Sequence, residues 1–252
     1  MAFTYGTTWG DFGDEKVESS TQTHPLGTKM ILPDGRIYYY AVNSSAAITT
    51  GGQIVDGIAA VAAHDMDLVA AAASAEAITF TTTTSLTTTK DQYAGGYVYI
   101  NGQAGEGEVY QVRSNTLVAG AAGLSITIED DGGFATALTT ATRFGLMYSP
   151  YKDIKIKDGT GGTETTGVIG VTAMPVTADY FCWVQTSGPA AVLIGAAVVA
   201  VGDAISVSQA DEDGTVVATD YSDDFDLANL GTAMGIPAIA TDYQWVMLNI
   251  RA

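Results

Sequence analysis

Nucleophilic catalysis needs a base beside the nucleophile, most often a histidine, and this chain carries only two, His24 and His64. His24 closes a polar N-terminal stretch just ahead of Pro25, and His64 stands in an Ala-rich stretch beside Asp65 and Asp67. Cys182, the single cysteine, alternates with Phe181 and Trp183 on a strand-like run, the setting of a small buried residue rather than a reactive thiol. One cysteine also excludes an intrachain disulfide framework.

Metal chemistry has two places to start. The run His64-Asp65-Met66-Asp67 offers one imidazole and two carboxylates, but so few ligands within four residues need others from elsewhere to close a site. A solvated loop is the plainer reading. Acidic glycine turns recur at Glu129-Asp130-Asp131-Gly132-Gly133, at Asp211-Glu212-Asp213-Gly214 and in the acidic run 220–226. EF-hand phasing around Asp211, Asp213 and Gly214 would put Gln209 at the loop start and Asp220 where a bidentate Glu belongs. The glycine fits and the ends do not, so these read as hairpin turns. No Gly-Lys dipeptide exists, and the glycines of 102–107 join two strand-like runs rather than opening a helix, so no phosphate cradle is expected. The expectation is no catalytic residue, no metal, no cofactor and no enzyme.

Composition bounds the partners. A net charge of −18 with ten Lys and Arg argues against nucleic acid, whose phosphates need clustered cations, and against anionic membrane surfaces. Such acidity keeps an exposed protein soluble and self-repelling. The 252 residues, 47% of them hydrophobic, suffice for one large β domain or two smaller ones. The most apolar run, 189–202, is too short and Gly-broken to span a bilayer. The first twenty residues lack the basic and apolar regions of a secretory leader, so synthesis in a cytoplasm is expected.

Residues 1–25 are polar and aromatic without period, and such a segment builds no core of its own. Phe3, Tyr5, Trp9 and Phe12 are therefore candidate anchors of an extended arm that orders on a partner. Pro33-Asp34-Gly35 predicts a tight turn within 28–42, with β-rich flanks making it a hairpin. The second strand places Ile37, Tyr39 and Ala41 on one face and Tyr38, Tyr40 and Val42 on the other, which fits a strand covered on both sides or one at a subunit contact, although an ordinary sandwich strand with amphipathic tyrosines at its rim is the plainer reading. The Ala-rich 59–77 is the one place where a short helix or turn is expected. Strands are expected at 95–102, at 108–114 and at 124–128, where Leu124, Ile126 and Ile128 share a face. A Lys-, Gly- and Thr-rich stretch at 149–167 reads as a boundary, and short strands continue beyond it.

Spacing of this kind predicts an all-β protein of sandwich-like or barrel-like domains with an extended N-terminal arm, divided as 1–25, 26–157 and 158–252. Two stretches near the C-terminus repeat a pattern: 173–185 and 233–248 both open on Ala-Met, pass a proline, reach Asp-Tyr and close on Trp-Val. Trp183 and Trp245, 62 positions apart, are expected to pack in related environments of the last domain. They join Tyr38 and Tyr40 as candidates for its core or for a seam between subunits.

Taken together, "LGTKMILPDGRIYYYAVNSSAAITTGGQIV", "DQYAGGYVYINGQAGEGEVYQV" and "GVTAMPVTADYFCWVQTSGPAAVLIGAAVVAVGDAI", followed by "DGTVV", "LGTAMG" and the terminal Trp-Val strand, resemble the capsid decoration, or cement, proteins of tailed bacteriophages. The similarity runs from about residue 26 onward through loose strand-and-turn motifs. It implies a mainly β protein, commonly a homotrimer, whose partner is the major capsid protein. Such a protein sits on the exterior of an expanded virion head, clamping neighbouring capsid subunits. The rival reading is a tail-fibre, receptor-binding or surface-adhesion β module.

Overall fold

The computed structural model describes residues 6–61, 68–73, 77–81, 87–119, 123–158, 167–195, 198–208, 213–219, 229–235 and 242–251. The fold is all-β, and the chain divides into two compact units, one of residues 1–58 with 150–252 and the other of residues 59–149. The division is nested where the sequence suggested consecutive domains at 26–157 and 158–252. Only the start of the 149–167 boundary coincides with a junction.

The first unit begins with β1 (Thr7–Trp9), β2 (Lys29–Ile31), β3 (Ile37–Val42) and β4 (Ile54–Asp56). Strands β2 and β3 form the expected hairpin: Leu32 N–H donates to Arg36 O at 3.0 Å, Gly35 N–H donates to Leu32 O at 2.9 Å, and Gly35 takes φ 83°. That φ is open to glycine at little cost, which fixes the turn chemistry.

The inserted unit contains β5 (Leu68–Ala73), β6 (Ala77–Thr81), β7 (Thr87–Thr88), β8 (Tyr97–Gly102), β9 (Val109–Asn115), β10 (Val118–Ala119), β11 (Leu124–Ile128) and β12 (Arg143–Met147). Six of these close into an antiparallel barrel in the order β11-β6-β5-β12-β8-β9, with β9 returning to β11. Ile78, Val98, Ile100, Val112, Leu124, Ile126, Ile128, Phe144 and Leu146 are buried together, so the barrel is filled by side chains. The helix or turn expected in 59–77 is corrected here: Leu68–Ala73 is a strand, paired antiparallel to β6 and β12. Alanine's helical preference amounts to a few tenths of a kcal/mol per residue. Without β5 the barrel would stand open with two unpaired edges, and closure removes them. His64, Asp65, Met66 and Asp67 lie outside the described residues.

Back in the first unit come β13 (Lys155–Ile156), β14 (Val168–Thr172), β15 (Phe181–Leu193), β16 (Ala204–Val207), β17 (Val216–Ala218), β18 (Gly231–Ala233) and β19 (Tyr243–Asn249). The main path of its sheet runs β1-β2-β3-β15-β19-β18-β16-β17, with β14 and β4 branching from β15 and β13 pairing with β4. The thirteen-residue β15 organises the unit: its first half pairs with β3 and β14, its second half with β19. Pro189 is tolerated in this central strand because pairing with β3 ends at Ser187↔Ile37, so no partner on that side needs its N–H. Because β3 is joined to β15 across some 140 residues of chain, no linear cut separates the two halves of this unit.

Both faces of β3 are covered, and Tyr38 and Tyr40 are buried in the core rather than set at a rim as the plainer reading expected. Tyr38 and Tyr40 pack with Met30, Leu32 and Trp183, while Ala41 and Tyr39 belong to a second cluster with Val55, Ile154 and Val184. A third cluster, including Ile54, Val192, Ile205, Val246 and Leu248, fills the space under β15 and β19.

Candidate docking surfaces

The N-terminal stretch read as an arm is, from residue 6, laid along the first unit. β1 runs parallel to β2 with Thr8 opposite Met30 and Trp9 opposite Ile31, and Gly10 N–H continues the ladder to Ile31 O at 3.1 Å. A Cβ on Gly10 would lie 2.5 Å from Met30 Sδ, so glycine lets the backbone lie flat here. A single 3₁₀ turn at Asp14–Lys16 then brings Glu15 under cover. Its Oε2 accepts from Gly13 N–H at 2.7 Å, and its Oε1 lies 3.5 Å from Arg36 Nη1. Farther on, Glu18 accepts from the backbone N–H and hydroxyl of Thr177, both at 2.7 Å, and Ser19 exchanges two backbone hydrogen bonds with Phe181. Thr23 N–H donates to Tyr40 Oη at 3.1 Å.

Several side chains of this stretch are placed against the usual rule. Glu15 and Glu18 face the body of the unit while Asp11 and Asp14 stay exposed, and Trp9, at 76% exposure, Phe12 and Val17 face solvent beside them. Water-facing aromatics gathered on a docked segment are informative, because single exposed apolar residues are ordinary and a gathered set marks a contact surface. Of the four candidate anchors, Trp9 and Phe12 are thus presented outward, while Phe3 and Tyr5 lie outside the described residues.

Tyr38, Tyr40 and Trp183 are core residues. Trp183 is 7% exposed and meets Tyr40 edge-on with centroids 4.9 Å apart, and Tyr40 stacks on Phe181 at 5.8 Å. The His24 ring approaches both Tyr40, at 5.2 Å, and Trp183, at 5.3 Å, so this histidine borders an aromatic cluster rather than a nucleophile. Tyr38 Oη accepts from Arg36 Nη1 at 2.8 Å and donates to Gln185 Oε1 at 3.1 Å. Burial pushes this phenol up to about 12. Cys182 is buried as expected, and burial foremost, with the Glu18 carboxylate adding, pushes its thiol up to about 12. A thiol so held stays protonated at neutral pH.

Trp245 does not share the environment of Trp183, which corrects the expectation from the repeat. The two strands do lie side by side in one sheet, but Trp245 stands opposite Ala191, eight residues beyond Trp183 on β15, and is 51% exposed. Strand β19 alternates without exception: Gln244, Val246 and Leu248 point into the core, while Tyr243, Trp245, Met247 and Asn249 point out. Cross-strand pairing puts Leu193, Ala191 and Pro189 of β15 on the same outer face, together with Thr232 of β18 opposite Met247. Met234 continues β18, its N–H donating to Trp245 O at 2.8 Å. Tyr243 lies over the Gly51-Gly52 turn, its hydroxyl donating to Gly51 O at 3.0 Å, and a Cβ on Gly52 would fall 2.7 Å from the ring. Next to Met247 the face opens into a groove of about 530 Å³ floored by Gly188, Gly231, Leu248 and Asn249.

The sequence offered one signal for this face, the alternation of 243–249, and it could not say which side is covered because both sides are apolar. Elsewhere, Lys157 Nζ and Asp56 Oδ2 form a buried ion pair at 3.5 Å. Among the described residues no three His, Cys, Asp or Glu side chains gather in a metal-binding group, and no helix is long and apolar enough to cross a membrane. Comparison with protein-family models, with curated proteins and with solved structures finds no match for this chain.

Proposed function

We propose that this protein is a structural virion component that binds the exterior of an expanded tailed-phage capsid and stabilises it by bridging neighbouring major capsid subunits. The observation that carries the reading is the N-terminal stretch, fastened to a rigid sheet through Glu15, Glu18 and Ser19 while Trp9, Phe12 and Val17 face outward. Docking in advance of binding lowers the ordering cost that a floppy arm would carry. The strand-and-turn resemblance to decoration proteins supplies the identity of the lattice.

The mechanism is differential affinity. A protein that binds the expanded lattice better than the immature or broken one shifts the population toward it. Many copies make weak single contacts sufficient. An acidic body keeps finished particles apart.

The test is co-sedimentation with expanded heads assembled without this chain. Wild-type protein is expected to pellet with heads, and the double substitution Trp9→Ala and Phe12→Ala to lower its occupancy at least tenfold with no change in melting temperature. Equal occupancy of both proteins removes the N-terminal stretch as the contact. Wild-type protein left in the supernatant removes the capsid reading, and binding to host cells instead would establish the adhesion rival.

A further inference from the structure

We infer that Lys157 and Asp56 condense into an intramolecular amide bond, a self-made cross-link between the two strands that lead into and out of the inserted unit. The inference needs only this chain and does not rest on the capsid reading.

Position is the first argument. β4 is the last strand before residues 59–149 and β13 the first after them, and the two pair antiparallel with Lys155 opposite Asp56. Lys157 continues that ladder, its N–H donating to Ile54 O at 3.0 Å and its carbonyl accepting from Gly214 N–H at 2.8 Å. Strand alternation then sets its side chain one diagonal from Asp56 on the same face, a span a lysine covers. On the other side of β4, Val168 of β14 stands opposite Asp56, so the carboxyl sits within the sheet rather than at an edge.

Chemistry is the second argument. Asp56 is 2% exposed and Lys157 5%. Two charges taken out of water recover little through their mutual attraction. A settled ion pair closes to about 2.7–2.9 Å, as Arg36 Nε and Asp34 Oδ2 do at 2.7 Å, whereas Lys157 Nζ and Asp56 Oδ2 stand 3.5 Å apart. Loss of water favours the neutral forms of an amine and a carboxyl alike. One proton passed from ammonium to carboxylate makes both at once, a nucleophilic amine beside a carboxylic acid. Cγ is one bond from Oδ2, so a small turn of the carboxyl brings Nζ to the roughly 3–3.5 Å at which reacting atoms align. Nζ adds to Cγ, the bond from Cγ to the hydroxyl breaks, and a second amine proton leaves with that hydroxyl as water. A neutral amide replaces two buried charges, with nothing oxidised or reduced and no co-reactant.

The bond closes residues 56–157 into a covalent ring that holds the whole of the 59–149 unit. The β4–β13 ladder itself has only the pairs Lys155↔Asp56 and Ile156↔Val55, a short run that opens readily. The cross-link keeps the two stems of the inserted unit together when that ladder opens.

Intact-mass spectrometry of the full chain, fresh and after prolonged incubation at neutral pH, is the experiment. Wild-type protein is expected to be lighter than its sequence by one water. After denaturation, trypsin should fail to cut behind Lys157, and fragmentation should find Asp56 and Lys157 in one branched peptide. Lys157→Arg, which keeps the charge but cannot form this amide, and Asp56→Ala should each carry the full mass of their sequences. The wild-type branched peptide decides the question even if both variants misfold. Full sequence mass in wild-type protein at every time overturns the inference. So does a water deficit that persists in Lys157→Arg, or one that maps to a cyclic imide at an Asp-Gly pair such as Asp34-Gly35.

Discussion

The two Trp-Val strands share a motif and a sheet yet hold their tryptophans in opposite surroundings. At Trp183, β15 lies between β3 and β14 with an aromatic cluster above it. At Trp245, β19 has a core on one side and solvent on the other. Local sequence specified the strand in both cases and the alternation within it. Which face became interior was decided by partners distant in sequence: Tyr38 and Tyr40 from the first hairpin roof Trp183, and no described residue roofs Trp245. A recurring motif is therefore evidence for a recurring element, not for a recurring environment.

The widest break in this comparison is truncation. Trp183→Ala should cost about 3–5 kcal/mol, the range for emptying a large aromatic site, whereas Trp245→Ala should stay within about 0.5 kcal/mol, as surface changes do. Urea denaturation of both variants measures the gap. Equal costs would mean that the two residues are packed alike after all.

Alkaline pH sharpens the same contrast. Burial raises both the Cys182 thiol and the Tyr38 phenol to about 12, so each holds its proton more tightly folded than unfolded. Their contribution is fully present below the unfolded thiol's ordinary pKa of about 8.5 and is lost as pH climbs through the folded values. Stability should hold between pH 6 and 8, fall steadily above pH 9, and fall less steeply in Cys182→Ala. In native protein Cys182 should resist alkylation at pH 8, and rapid labelling would refute its burial.

Smaller effects are expected where hydrogen bonds rather than packing are removed. Tyr38→Phe takes the hydroxyl that links Arg36 to Gln185 and should cost about 1–2 kcal/mol, since it leaves the buried Gln185 Oε1 without its donor. Glu18→Ala removes two bonds to Thr177 at the surface and should cost under about 1 kcal/mol globally. Its readout is local: amide exchange at Ser19 and Phe181 should quicken while that of β19 stays unchanged. Uniform quickening would show that the N-terminal stretch is part of the cooperative core.

Much of the fold is legible in the sequence where short-range rules suffice. Pro33-Asp34-Gly35 marks its own hairpin, Leu124, Ile126 and Ile128 mark the barrel-facing side of β11, and the phase of Phe181-Cys182-Trp183 marks a buried cysteine. What escaped depends on long-range pairing. Leu68–Ala73 is strand because β6 and β12 need a partner between them, although its alanines favour helix. The nested division follows from β3 meeting β15, and no composition shift announces it. The N-terminal stretch reads as a segment that builds no core of its own, and composition could not reveal that Arg36, Thr177 and Phe181 hold it down. The outer face of β19 was hidden for a related reason, since two apolar sides of one strand read alike until one of them is covered.

The most direct test of the proposed role is cryo-electron microscopy of expanded heads, assembled without this chain and then mixed with it. The account predicts ordered density on the capsid exterior across subunit junctions, with the face bearing Trp9, Phe12 and Val17 against the lattice. Bare heads, or bound protein with that face turned to solvent, would contradict it.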